Sequence, residues 1–336
     1  MRKSGSAVLA AILLMTGAAY AQVPAQGARP ALPANYDTAS SPLAIGHVPL
    51  AERIAHTDPS KYGNQPAVHN GSGPMHYMPL FDSRREPNTM EFDLGTNLMF
   101  LHRGVLPPGG GIGEHYHDYC EEMFVIFDGE AQFSVDSRTS VLKGPAGAPA
   151  RLGHSHAITN ASDHDVQWMN INVGLIPHYY DANNVDDGRV GATLDAIPQF
   201  IHMDLGRKQL KPVANFDGGK GTVMYDRPLD PSVFYTAWSY VDHLLLPVST
   251  TVGPIAKPDM SEVYYVMAGN GTATIGGETA QIKAGDAIPA ALGESRAFAP
   301  TGTEPLELMV IGIARDLETK RTYMLSDENR IRTGPR

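Results

Sequence analysis

Four residues carry the clearest chemical potential in this chain: His115, His117, Glu122 and His156. They fall in two spaced patterns, Gly109-x5-His115-x-His117-x4-Glu122-x6-Gly129 and Gly153-x2-His156-x3-Asn160. Residues two apart on a strand point to one face, so His115 and His117 converge if their segment is extended. A short turn then carries the chain to Glu122 on the next strand, and His156 can arrive from a distant strand of a closed sheet. Three imidazoles and one carboxylate suit a divalent first-row transition metal and leave positions open for water or substrate. Gly109 and Gly129 suit the turns that bracket the strand pair.

Such a site needs strands to position it, and the surrounding sequence supplies them. Apolar runs of strand length recur at close spacing: Leu98–Leu106, Met123–Phe127, Ala131–Val135, Gln167–Val173, Tyr235–Leu246, Val263–Met267, Thr272–Ile275 and Leu306–Ile313. Gly or Pro punctuates most of the gaps, which is an all-β pattern. The runs form two blocks that superimpose at a constant offset of 140 residues. Leu106-Pro107 meets Leu246-Pro247, Glu122 meets Glu262, and Gly129 meets Gly269. Pro149-Ala150 and Leu152-Gly153 meet Pro289-Ala290 and Leu292-Gly293, and Met169, Ile171 and Val173 meet Met309, Ile311 and Ile313. The register survives through strands and turns alike, so the chain reads as two copies of one β domain.

Composition agrees. The chain has 336 residues, with 34 Gly and 26 Pro, which disfavours a long helical bundle. The formal net charge of −10 argues against a nucleic-acid partner, which would select a basic face. The single cysteine, Cys120, excludes an internal disulfide framework and a Cys-rich zinc site. At the N-terminus, Arg2 and Lys3 precede an apolar stretch, Ala7 to Ala19, and a small-x-small sequence, Ala19-Tyr20-Ala21. That pattern predicts an export signal over 1–21 and a periplasmic or secreted protein with no membrane contact after its removal. The expected organisation is then a flexible lead-in at 22–60, a metal-binding barrel at 61–176, a linker at 177–204 and a second, metal-free barrel at 205–336.

The two patterns resemble the two motifs of the cupins, a superfamily of small jelly-roll β-barrels. The likeness covers roughly residues 95–175 and 235–315, and the paired copies resemble a bicupin. The first motif fits at each defining position, and the second departs at Arg151, where the family usually has Pro. The resemblance implies that His115, His117, Glu122 and His156 bind one divalent transition metal, with Mn, Fe, Ni, Zn and Cu all open. At the 140-residue offset the three histidines become Ile255, Lys257 and Arg296, and only the carboxylate survives, as Glu262. Apolar and basic residues cannot rebuild a metal site. Lys257 or Arg296 could pair with Glu262, or the two could form an anion pocket.

The same comparison nominates residues around the site. Trp168, Asn170 and Asn172 alternate with Met169, Ile171 and Val173 on the last strand of the first copy, and copy two has Leu308, Val310 and Gly312 in their places. A polar face that turns apolar in the metal-free copy suggests substrate-facing positions. Arg103 is a candidate for orienting a substrate carboxylate. His154, two residues before His156, is a candidate for moving a proton. Cys120 reads as a small buried residue, and Glu121 is expected to point away from Glu122 into solvent. His47, His56, His69, His76, His164, His178, His202 and His243 show no ligand spacing.

These readings predict a metal-dependent enzyme acting as a Lewis acid on a small molecule, a sugar-derived or hydroxy/keto-acid substrate, by isomerisation, epimerisation or elimination. The alternatives are an oxygen-dependent dioxygenase, resembling bicupins that cleave flavonols, and a non-catalytic metal or small-ligand binder. Oxalate decarboxylases match less well, since they usually keep ligands in both copies. A homo-oligomer is compatible with the sequence.

Overall fold

The computed structural model describes residues 47–84, 92–185 and 192–333, all within one compact unit, Pro33–Arg336. The expected export signal lies outside them. The two-copy pattern becomes two β-barrels, each a sandwich of two antiparallel sheets. In the first barrel, a seven-stranded sheet runs Met203–Asp204, Ala146–Ala150, Cys120–Ile126, Val166–Gly174, Leu98–Leu106, Met75–Asp82, Gly63–Gln65. It faces a five-stranded sheet of Asn183–Asn184, Gly111–Tyr116, His156–Thr159, Glu130–Val135 and Arg138–Lys143. The second barrel repeats the plan with sheets of seven and four strands. Strands Leu98–Leu106 and Trp238–Leu246 differ by the offset read from sequence, as do Arg138–Lys143 and Glu278–Lys283, and Val166–Gly174 and Leu306–Ala314.

Alternation along the strands builds three cores rather than two. Even-numbered positions such as Phe124, Ile126 and Trp168 fill the first barrel, and Tyr264, Val266, Leu308 and Val310 fill the second. The odd-numbered set, Met123, Val125, Met169, Ile171 and Val173, forms a third core with Val263, Tyr265, Met309, Ile311 and Ile313. The two seven-stranded sheets therefore pack face to face and bury the apolar stripe that both copies share. None of it meets solvent, and this is why both copies retain it.

Two sequence expectations change. Residues 47–60, taken as the end of a flexible lead-in, are packed: Leu50 and Ile54 enter the second barrel's core, and Ala55–His56 pairs with Asp286–Ala290 at the edge of its sheet. The segment 177–204 is likewise more than a spacer. Asn183–Asn184 and Met203–Asp204 add edge strands to both sheets of the first barrel.

Candidate metal centre

His115 is the penultimate residue of the strand Gly111–Tyr116, and His117 follows its end. Glu122 lies on Cys120–Ile126, whose partner Val166–Gly174 sets Asn172 opposite Glu122 and Asn170 opposite Phe124. His156 opens its own strand and sits opposite His115. All four side chains are buried inside the first barrel. The His156 Nε2 lies 3.2 Å from the His115 Nε2 and 3.4 Å from the His117 Nε2. The Glu122 carboxylate lies 3.2 Å from the His117 Nε2 and 3.9 Å from the His115 Nε2. One potential ligand atom from each residue falls within 4.8 Å of the others.

The donor set fits a cation. His115 Nδ1–H donates to the Gly113 carbonyl at 2.9 Å, and His117 Nδ1–H donates to the Asp181 carbonyl. Those bonds put protons on Nδ1 and aim both Nε2 atoms at the cluster. Lone pairs and a carboxylate that converge in a dry interior repel unless a positive charge lies among them. Two donors about 2.1 Å from one ion stand about 3 to 3.5 Å apart, and His156–His115, His156–His117 and His117–Glu122 fall in that range. Burial holds the His115 pKa well down and that of His156 at about 3, so both rings are neutral and ready to coordinate. Burial also works to lower His117, but Cys120 and Glu122 outweigh it and raise its pKa. Burial works to raise Glu122, yet His117 outweighs it and holds the carboxyl well below the usual range. Without metal, His117 and Glu122 form an ion pair, which an incoming ion must replace.

Asn170 and Asn172 are inside the barrel, but their amides serve the ligand: they donate to the two Glu122 oxygens at 2.8 and 2.9 Å. Trp168, on the same face, is fully buried in the core.

Three other expectations are corrected. Arg103 points to the opposite face, where it donates to the Tyr265 hydroxyl, to the Gly104 and Trp168 carbonyls and to Gln167, tying the barrels together. A strand's alternation forces this, because its neighbour His102 takes the inner face. His154 lies outside the ligand cluster, in the turn before His156, with its Nδ1 2.6 Å from Asp136 in a surface cleft shared with Arg151 and Phe200. Glu121 is fully buried, accepting the Tyr235 and Thr236 amides at 2.8 Å and the Thr236 hydroxyl at 2.6 Å from the other barrel. Its outward direction was read correctly, but a second barrel covers that side.

His69 has no ligand spacing along the chain, yet its ring stacks on His115 at 3.8 Å and 12°. Gly113 permits this approach: a Cβ there would meet the His69 carbonyl at 1.8 Å. Tyr180 and Arg84 were also unread. The Tyr180 ring lies 5.5 Å from His117, and the Arg84 guanidinium lies 4.2 Å over Phe100 and 4.9 Å over Tyr180. Asp82 fixes Arg84 at 3.0 and 2.7 Å. Phe100 pairs with Asn172 in register, so this cation stands on the metal-facing interior.

In the second barrel, Lys257 and Arg296 do meet Glu262, at 2.8 and 3.3 Å. Tyr240 and Tyr264 add hydroxyl donors at 2.5 and 2.6 Å. Gly312, the counterpart of Asn172, leaves room for Tyr240, whose ring would lie 2.2 Å from a Cβ there. Among the described residues, the groupings of three or more potential metal ligands lie in the first barrel.

The cupin domain model matches the chain twice, over residues 102–172 and 243–312. A polyketide synthase, CurC, of Streptomyces cyaneus is 27% identical over 76 residues, 23% of this chain and 49% of that one. The oxalate-binding protein of Thermotoga maritima is 29% identical over 99 residues, 30% of this chain and 82% of that one. The chain thus spans about half the length of the first relative and most of the second. Among solved structures, the Lactobacillus farciminis oxalate decarboxylase–formate complex aligns with a TM-score of 0.54 and 14% identity, over 82% of this chain and 90% of that one. Hazelnut (Corylus avellana) vicilin aligns with a TM-score of 0.54 and 9% identity, over 78% and 86%. At such identities the likeness is one of fold. Two domain matches, two barrels at one offset and a His/Glu cluster in the first of them make this chain a bicupin, with a site for one divalent metal ion.

Proposed function

We propose that this bicupin is a small-molecule enzyme that uses one divalent transition metal, held by His115, His117, Glu122 and His156, as a Lewis acid. The second barrel then carries no metal. The observation behind this reading is the convergence of three Nε2 atoms and a carboxylate in a buried cluster. A bound ion would polarise a substrate carbonyl or take two neighbouring oxygens.

The surrounding residues favour a small hydroxy- or keto-acid. Arg84 carries a fixed charge over the interior face and can anchor a carboxylate. Burial pushes the Tyr180 phenol far up, so it stays protonated and donates to a substrate oxygen rather than removing a proton. The name of the Thermotoga maritima relative, an oxalate-binding protein, points to the same carboxylate class. Reactions of lyase or isomerase type follow from carbonyl polarisation. That same relative's name favours a second reading, in which the site binds a small carboxylate without turning it over. Export to the periplasm or beyond remains part of the proposal and rests on residues 1–21.

The test loads purified protein with Mn, Fe or Zn and offers oxalate and short hydroxy- and keto-acids, while product, binding and oxygen are followed. Metal-dependent product without oxygen uptake is expected. Binding without product supports the second reading, and substrate-dependent oxygen consumption identifies a dioxygenase and overturns the Lewis-acid assignment.

A further inference from the structure

The connection between the barrels does more than join them. For His117 to present Nε2 to the cluster, its Nδ1–H needs an acceptor, and that acceptor is the carbonyl of Asp181. The other member of the pair, His115, uses the carbonyl of Gly113 on its own strand. One ligand is therefore oriented locally, and the other by a segment 64 residues away. The Asp181 carboxylate also accepts the backbone amides of Asp118 at 2.7 Å and Tyr119 at 3.0 Å, which holds the turn that follows His117. Asn183 donates to the same carboxylate at 3.3 Å.

The next residues reach the second ligand. Asn183 and Asn184 pair as an edge strand with Tyr116 and His115. The Asn184 side-chain oxygen lies 2.6 Å from Nδ1 of His69, whose ring stacks on His115. Upstream, Tyr179 packs edge-on against Tyr119 at 5.3 Å, and Tyr180 against His117. Apart from the Asn183–Asp181 bond inside the segment 178–185, the contacts just named end on a metal ligand, on the residues between ligands or on a ring stacked against a ligand.

We propose that residues 178–185 form a strap whose docking is energetically coupled to metal binding, with Asp181 as the positioning residue. The inference rests on the metal centre proposed above. A contact that fixes His117 in its binding orientation raises metal affinity. By reciprocity, a metal that fixes His117 stabilises the docked strap. Sequence reading takes this segment for a linker because its composition is polar and irregular, but its polar groups are spent on the site.

Co2+ serves as the probe, because its visible absorption reports ligand geometry. In the wild-type chain, adding Co2+ is expected to slow amide hydrogen exchange at 118–119 and through 179–185. Asp181→Ala is expected to weaken Co2+ binding about 10- to 100-fold and to alter the visible spectrum. Both variants keep the backbone carbonyl; Asp181→Asn also keeps one side-chain acceptor for the 118–119 amides and should recover part of both. Co2+ bound by Asp181→Ala with wild-type affinity and spectrum overturns the strap, as does wild-type exchange that Co2+ leaves unchanged. Should Asp181→Ala fail to fold, the wild-type exchange experiment decides alone. If the wild-type chain binds no Co2+, the metal centre itself is wrong and the strap falls with it. Binding that ignores the strap leaves the centre standing.

Discussion

In the first barrel Glu122 lies between two amides and three imidazoles; in the second, Glu262 occupies the same position between two cations and two phenols. Both carboxylates are buried, and both need compensating charge in a medium that penalises a bare anion. The second barrel builds that charge into the chain through Lys257 and Arg296. The first has only His117, a titratable ring whose charge an incoming ion must replace. Few substitutions separate a binding site from a closed one: three histidines become Ile255, Lys257 and Arg296, Phe100 and Phe124 become Tyr240 and Tyr264, and Asn172 becomes Gly312.

The contrast is most severely tested by removing each carboxylate. Glu262→Gln leaves Arg296 without its carboxylate and Lys257 with only Asp217 and Glu328 at 4.0 and 3.8 Å, and thermal unfolding should show a loss of about 3–5 kcal/mol. Glu122→Gln in metal-free protein should cost less, since its partner His117 can shed its proton whereas Lys257 and Arg296 keep theirs. Equal losses would erase the distinction. Tyr240→Phe removes one donor to the ionised Glu262 and is expected to cost about 1.5–3 kcal/mol by the same measurement, with metal content unchanged. Asn172→Ala does the reverse: it frees one Glu122 oxygen, and chelator competition should show metal affinity reduced about 10- to 100-fold with a smaller effect on stability.

The smallest effect is in pH. Burial raises the Glu262 pKa, but Lys257 and then Arg296 outweigh it and hold the carboxyl far below its ordinary value. A carboxyl lowered in the folded state stabilises fully above its unfolded value of about 4.3 and loses that contribution as pH falls toward the folded value. The deficit of Glu262→Gln relative to wild type should therefore be constant from pH 7 to about 5 and shrink below about 4. A deficit that grows on acidification contradicts the ion-pair assignment.

The fold was legible because repetition is a property of the chain itself: an offset between Glu122 and Glu262 needs no partner to be seen. The ligands were legible for the same reason, since strand period brings His115 and His117 to one face. Other residues depend on elements far away in sequence. Arg103 was offered to a substrate because nothing nearby claims it, yet Tyr265 does so from the other barrel. His154 has the right spacing from His156 but precedes the strand, so the two-residue rule does not hold and Asp136 takes its ring. Glu121 was sent to solvent because a single barrel has an outside, whereas here the outside of one sheet is the inside of a barrel pair. His69 reaches His115 only through a glycine at 113 and Asn184. None of these pairings leaves a periodic trace.

Metal stoichiometry tests the contrast most directly. Purified chain is saturated with one divalent metal, freed of excess, and assayed for bound ion per polypeptide alongside His117→Ala and Lys257→Met. One ion per chain is expected in the wild type and in Lys257→Met, and close to none in His117→Ala. Two ions per chain, or an ion that survives in His117→Ala and is lost in Lys257→Met, would place the metal in the wrong barrel and contradict the assignment.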